Sequence, residues 1–243
     1  MRFISGLLIG IFGLIVVLLG GWYFTIAVAL LTYLALLEFF RMAEYTGIKP
    51  ATKTTLLSCL IIIISTYLEI IGILDKETYN SILPICSVGI CTWLLLQPKS
   101  GTISDIAASI FGLFYLGFLP SFWIKLRGLE SIVITSPDGL LGSIEIFGNS
   151  LGLYFTLTSC LLIVASDIGS YFIGKSFGKR SLSPISPSKT IEGLIGGITC
   201  SILLAICFKF FLNWGNPFLI GILYGLLISL MALVGDLIES MMK

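Results

Sequence analysis

The chain has 243 residues, 57% of them apolar and 11% charged, with a mean hydropathy of +1.07 and a formal net charge of +1. Soluble domains carry roughly 25% charged residues, so these values exclude a soluble enzyme, and the near-zero charge gives no reason to expect nucleic acid as a partner. Histidine is absent from the sequence, which removes imidazole acid–base catalysis and imidazole metal ligation and leaves carboxylates, Lys, Ser/Thr and Tyr.

A helix crosses a bilayer with about 20 apolar residues, which divides this chain into about eight spans of an all-α, polytopic integral membrane bundle. The first apolar run begins after Arg2 and continues to Leu37 without a small-residue cleavage site, so it reads as a retained anchor and not a signal peptide. Gly20 and Gly21 divide it into two helices joined as a tight hairpin. Further spans are expected at about Leu56 to Leu74, Ile82 to Leu96, Ile106 to Ile124, Leu151 to Ile173, Ile191 to Leu212 and Pro217 to Val234. The run at Ile82 is short enough to dip instead of crossing. The segment from Lys125 to Ser150, with its turn signal Pro137-Asp138-Gly139, reads as a connector. All of the cysteines lie in or beside apolar runs without metal-site or disulfide spacing, and read as small apolar helix residues.

With the N-terminus in the cytoplasm, Arg2, Arg41, Lys49, Lys53, Lys99, Lys175, Lys179, Arg180, Lys189 and Lys243 face that side, and only Lys76, Lys125, Arg127 and Lys209 face the other. This bias places both termini, and the stretch from Ser166 to Gly197, in the cytoplasm. The cell membrane is the expected location.

That stretch is where charge, Gly, Ser and Pro gather in an otherwise apolar chain. Asp167 near the end of an apolar helix is either an interfacial carboxylate that reaches water or a contact to an ion or substrate, the usual role of an intramembrane acid. In the last helix Asp236, Glu239, Ser240 and Lys243 fall at i, i+3, i+4 and i+7 and share one face. Such a face suits Mg²⁺, which takes one or two carboxylates and completes its shell with water and phosphate oxygens; it equally suits a helix end with an ordinary Glu239–Lys243 pair. Between the two acidic helices, Lys175, Lys179 and Arg180 precede Pro184 and Pro187, and Ser188, Lys189 and Thr190 lead into a helix with Glu192 in its first turn. Hydroxyls and Lys at a helix start favour phosphate, while a cationic loop can also fix topology and touch anionic lipid. Gly193, Gly196 and Gly197 equally suit helix packing. Gly169 to Ser176, GSYFIGKS, formally satisfies the phosphate-loop pattern, but Tyr171, Phe172 and Ile173 fill the gap at the end of a membrane helix and no strand precedes it, so that reading is rejected.

The run DIGSYFIGKSFGKRSLSPISPSKTIEGLIGG, followed after one apolar helix and its connection by GDLIESMMK, closely resembles the phosphatidate cytidylyltransferases, the CDP-diacylglycerol synthases. The combination D-x-G-x-Y-x-x-G-K, S-P-x-K-T-x-E-G and G-D-L-x-E-S carries the resemblance, strongly over the last third of the chain. It implies one membrane domain over 1–243, with N-terminal scaffold helices in 1–150 and a catalytic half in 151–243. It also implies cytidylyl transfer from CTP to phosphatidic acid with Mg²⁺, in a membrane-lipid setting that admits a homodimer. On this resemblance Asp236 is the first metal ligand and Asp167 a second or supporting acid, and these two with Lys189 form the catalytic set. Lys175, Ser186 and Thr190 would join Lys189 in contacting phosphates, and Glu192, Glu239 and Ser240 would support the substrate site.

In the family pattern the signature continues past Ser240-x-x-Lys243 through an Arg, a Lys-Asp pair, a His-Gly-Gly segment and an Asp-Arg-x-Asp segment, whereas this sequence stops at Lys243. The expectation is therefore a truncated member with the metal centre half built. The alternatives are a non-catalytic relative that binds lipid or serves assembly, and an ion-coupled transporter using Asp167 and Asp236; the two acids fall at one membrane face and no paired broken helices occur, both of which oppose a transporter.

Overall fold

The computed structural model describes residues 2–97, 101–129, 151–183, 186–208 and 217–242. Helices α1 (Arg2–Leu19) and α2 (Gly21–Tyr45) meet at Gly20, and α3 (Thr52–Ile70) and α4 (Lys76–Leu95) follow. The next rod is α5 (Ile103–Phe111), a π-helical segment (Gly112–Phe118) and α6 (Leu119–Arg127). After the connector come α7 (Leu151–Phe177), strands β1 (Ser181–Ser183) and β2 (Ser186–Thr190), α8 (Ile191–Cys207) and α9 (Pro217–Met242). From residue 130 onward, the expected connector lies outside the described residues.

Among the described residues, six rods are long and apolar enough to cross a membrane, fewer than the eight expected: α2, α3, α4, the α5–α6 rod, α7 and α9. The remaining apolar stretches, Leu8–Leu19 and Ile191–Cys207, are shorter. Large apolar side chains stay exposed along these helices, such as Ile9 at 72%, Leu31 at 67% and Leu203 at 64%. In water such a surface would aggregate; in lipid it is the solvated face. The protein is an integral membrane protein.

The helices form two compact units. The first contains α1 to α6 with the start of α7 through Leu153, and its core gathers Leu36, Phe40, Cys59, Ile62, Ile90 and Leu113. Gly20, at φ 62°, lies in the left-handed region that glycine tolerates and marks the break between α1 and α2. The Arg127 guanidinium meets that break, its Nε donating to the Val17 carbonyl at 2.9 Å, where a helix end leaves carbonyls without partners. The π-helical segment occurs where Gly112 and Gly117 admit neighbours: a Cβ on Gly112 would lie 3.0 Å from Phe40, and one on Gly117 would lie 3.1 Å from the Cβ of Cys59. The helix that holds the run at Ile82 is long enough to cross. It starts six residues earlier, at Lys76, and continues through Pro84 for 20 residues.

The second unit contains α7 from Tyr154, the two strands, α8 and α9. Its feature unforeseen in the sequence is the antiparallel β1–β2 hairpin, paired Ser181 with Thr190 and Ser183 with Ser186. The Ile191 N–H donates to the Arg180 carbonyl at 3.0 Å and extends the pairing to the foot of α8. Gly169 to Ser176 is continuous helix within α7, so the formal phosphate-loop match has no loop.

Candidate active site

In the second unit α7 and α8 approach through small residues. Gly193 and Gly197 of α8, one turn apart, face Ser166, Ser170 and Gly174 of α7, also one turn apart. A Cβ at Gly193 would lie 2.8 Å from the Ser170 carbonyl oxygen, and one at Gly197 would lie 2.7 Å from that of Ser166. Where lipid removes the hydrophobic drive between helices, such close backbone approach is a main source of association. It also sets the spacing between Asp167 on α7 and Lys189 at the foot of α8.

Thr190 starts α8 as its N-cap: the backbone is extended and the hydroxyl accepts from the Gly193 N–H at 3.1 Å. The turn before the hairpin is tied down by Glu192, whose carboxylate accepts from the backbone N–H groups of Lys179 at 3.1 Å and Arg180 at 3.3 Å. The sequence reading made Glu192 a substrate-site residue. The structure commits this carboxylate to the backbone that carries the hairpin, and Glu192 does not line the cavity described next.

That cavity, of about 420 Å³, is lined by α7, the hairpin, the start of α8 and α9. Asp167 and Lys175 enter it from α7, Lys189 and Thr190 from β2, and Asp236 from α9. Five of the residues singled out in the sequence thus share one space. The Lys189 ammonium forms an ion pair with the Asp236 carboxylate. Burial draws the Lys189 pKa below the ordinary 10.5, while the Asp167 and Glu239 carboxylates act in the opposite sense. Lys175 Nζ stands 5.6 Å from the centre of the Tyr171 ring, a cation–π distance.

Ser186, Glu239 and Ser240 do not line the cavity. Ser186 is buried in the hairpin opposite Ser183. The Ser240 hydroxyl donates to the Asp236 carbonyl at 2.9 Å, a bond within α9. Glu239 acts on Lys189 through its charge. Lys243, the fourth member of the expected face, lies outside the described residues.

The cavity also contains Ser166, Ser170, Tyr171 and Ser229, none of which the sequence had marked as a site residue. Their signal was helical period: Ser170 and Tyr171 lie three and four residues after Asp167, and Ser229 lies seven before Asp236, each on the face of its acid.

The residue set is compatible with Mg²⁺. Two carboxylates, Asp167 and Asp236, face one cavity beside cationic Lys, and Mg²⁺ uses one or two carboxylates with water and phosphate oxygens instead of an all-protein cage. Among the described residues no cluster of three or more acidic or thiol ligands occurs.

Comparison with known proteins gives the chemistry a family. A profile described as Cytidylyltransferase family matches residues 1–243. The chain belongs to the cytidylyltransferase family. It is 40% identical over 235 residues to a phosphatidate cytidylyltransferase of Synechocystis sp., covering 93% of this chain and 78% of that protein. Against the chloroplastic phosphatidate cytidylyltransferase 4 of Arabidopsis thaliana identity is 33% over 255 residues, covering 100% of this chain and 63% of the relative. Against the phosphatidate cytidylyltransferase of Bacillus subtilis it is 29% over 246 residues, covering 100% and 83%. No solved structure gives a significant match. Family membership makes the chain a nucleotidyltransferase.

Proposed function

We propose that this protein transfers the cytidylyl group of CTP to phosphatidate, yielding CDP-diacylglycerol and pyrophosphate. The observation that carries the reading is the convergence of Asp167, Lys189 and Asp236 on one cavity in a membrane-embedded unit, in a chain whose relatives are named for this reaction. A phosphate oxygen of phosphatidate attacks the α-phosphorus of CTP. The new O–P bond forms as the bond to the β-phosphate oxygen breaks, and pyrophosphate leaves with the electron pair. The nucleophile is already anionic, so the protein has no need of a strong base; its task is to hold two anions together against their repulsion and in line.

Lys189 and Lys175 supply positive charge on two sides of the cavity. Asp236 holds the Lys189 ammonium in place until phosphate competes for it, and Asp167 sets the charge balance on the other wall. Asp236 and Asp167 are the residues that would hold Mg²⁺, which when bound neutralises phosphate charge. Leu233 and Leu194 form an apolar part of the cavity wall, suited to the glycerol end of a lipid, with the acyl chains left in the bilayer. The Lys and Arg bias supports a cytoplasmic orientation, where CTP is available, and the cell membrane as location. Along α9 the exposed Leu223, Leu227 and Met231 share a face, compatible with lipid contact and with a homodimer.

The test is to supply CTP labelled at the α-phosphate to purified protein in phosphatidate micelles and follow label into the organic phase. Magnesium-dependent transfer supports the reading. Label that remains aqueous with folded, phosphatidate-binding protein refutes it and leaves the non-catalytic relative.

A further inference from the structure

The first unit has a cavity of its own, about 960 Å³, which shares no residue with the candidate active site. It lies where the α2–α3 connection meets the end of α4 and the start of α5. We propose that it binds the phosphate headgroup of an anionic membrane phospholipid as a site separate from that of the reaction. The inference stands on this cavity alone and does not depend on the catalytic reading.

The connection that forms one wall is fixed by buried side chains, so the site is built before any ligand arrives. Asp105, 7% exposed, accepts from the Lys49 backbone N–H at 2.6 Å, from the Thr102 N–H at 2.7 Å and from the Thr102 hydroxyl at 2.9 Å. Ser109, fully buried, accepts from the Ala51 N–H at 2.9 Å and donates to the Asp105 carbonyl at 2.7 Å. These bonds hold residues 49 to 51 against α5 and leave Lys49 and Lys53 exposed at the cavity wall. Two carboxylates lie nearby: Asp105, which lines the cavity and is held by its three donors, and Glu44, outside the lining, which accepts from the Thr52 hydroxyl at 3.4 Å; the two lysines leave the lining net positive. Two flexible ammonium groups, with the exposed Ser104 hydroxyl on the same lining, are donors that a phosphate diester or monoester can use.

The choice of a lipid phosphate over a soluble one rests on the other wall. Trp93 and Leu94 of α4 line the cavity, and the residues around them are open to lipid: Leu95 is 73% exposed, Leu96 74% and Ile103 87%. Trp is the side chain that settles at headgroup depth. A ligand with its phosphate on Lys49 and Lys53 could lay its chains along this apolar surface, whereas a free phosphate would use only half of the site.

The experiment is a binding titration of the full chain in a zwitterionic detergent, read by native mass spectrometry, with phosphatidylglycerol, phosphatidylcholine and inorganic phosphate in separate arms. Phosphatidylglycerol is expected to bind, phosphatidylcholine to bind far more weakly, and inorganic phosphate not to displace the lipid. Lys49→Gln with Lys53→Gln should weaken phosphatidylglycerol by about thirtyfold, near fivefold for each lysine. Lys49→Arg with Lys53→Arg should retain binding, and Lys175→Gln with Lys189→Gln should leave it unchanged, which separates this site from the active site. Unaltered phosphatidylglycerol affinity in the Gln pair with an unchanged melting temperature overturns the proposal, as does displacement of the lipid by inorganic phosphate, which would make this a soluble-phosphate site.

Discussion

Gly197→Ala tests whether helix packing sets the active-site geometry. The added Cβ would lie 2.7 Å from the Ser166 carbonyl oxygen and would also press on the Ser170 hydroxyl. The hydroxyl can rotate away, but the carbonyl belongs to the backbone of α7 and cannot. Restoring an ordinary contact of 3.4 Å requires α7 and α8 to separate by roughly 0.7 Å. Overpacking of this kind costs about 1–3 kcal/mol, and it moves Asp167 away from Lys189 by a similar distance. Misplacement on the 1 Å scale costs about 100-fold in rate, so turnover should fall by about 10- to 100-fold while the protein stays folded, with a lowered melting temperature. Gly13→Ala is the control: a Cβ there meets nothing within 4 Å, and both readouts should stay at wild type. The assay is cytidylyl transfer per folded molecule in micelles, with thermal melting alongside. Wild-type turnover and melting in Gly197→Ala would refute the claim that this glycine contact positions the site.

Other predictions follow from single contacts. The Lys189 and Asp236 side chains are 27% and 47% exposed, so their ion pair contributes at most about 1 kcal/mol to stability; Lys189→Met and Asp236→Asn should barely move the melting temperature yet lower turnover by about 100-fold or more. Because burial holds the Lys189 pKa below 10.5, the ammonium is fully present below that lowered value and is lost as pH rises through it. The alkaline limb of kcat/KM should therefore fall on the acid side of 10.5 and move upward in Lys189→Arg; an identical limb in that variant would assign it to another group. Asp105→Ala removes the acceptor of three hydrogen bonds and should destabilise the first unit by about 3 kcal/mol, measured by denaturant or thermal unfolding in detergent; a loss below about 0.5 kcal/mol would show that the α2–α3 connection holds without it.

Much of the helical framework was legible because lipid imposes a simple rule: backbone groups must be satisfied within a helix, so apolar run length reports element length. That rule located all eight apolar segments, including the break at Gly20, and it erred where polar residues continue a helix. The polar start of α4 at Lys76 to Tyr79 is an example, since helix geometry does not stop where hydropathy falls. The π-helical segment from Gly112 carried no composition signal; Phe40 and Cys59 approach its glycines from other helices. The β1–β2 hairpin was hidden because a Ser- and Pro-rich run lacks the alternation that marks a strand.

The site divides in the same way. Asp167 and Asp236 stood out because acids in apolar helices are costly, and Lys189 stood out by its place at a helix start. Spacing alone could not join them, because Lys189 and Asp236 are far apart in sequence and meet through the packing of α8 on α9; it was the family resemblance that grouped them. Glu192 shows the limit of reading a residue type alone. Its place in the first turn of α8 suited the helix dipole and the resemblance made it a support of the substrate site, whereas its carboxylate holds the backbone of Lys179 and Arg180.

The central claim is that the cavity between α7, the hairpin, α8 and α9 performs cytidylyl transfer. The most direct measurement is pyrophosphate release from CTP in phosphatidate micelles by the 1–243 chain, with and without Mg²⁺, beside Asp236→Ala. The account predicts magnesium-dependent release that the substitution abolishes while phosphatidate binding persists. Release that survives Asp236→Ala, or none from folded wild-type protein that binds phosphatidate, would contradict it.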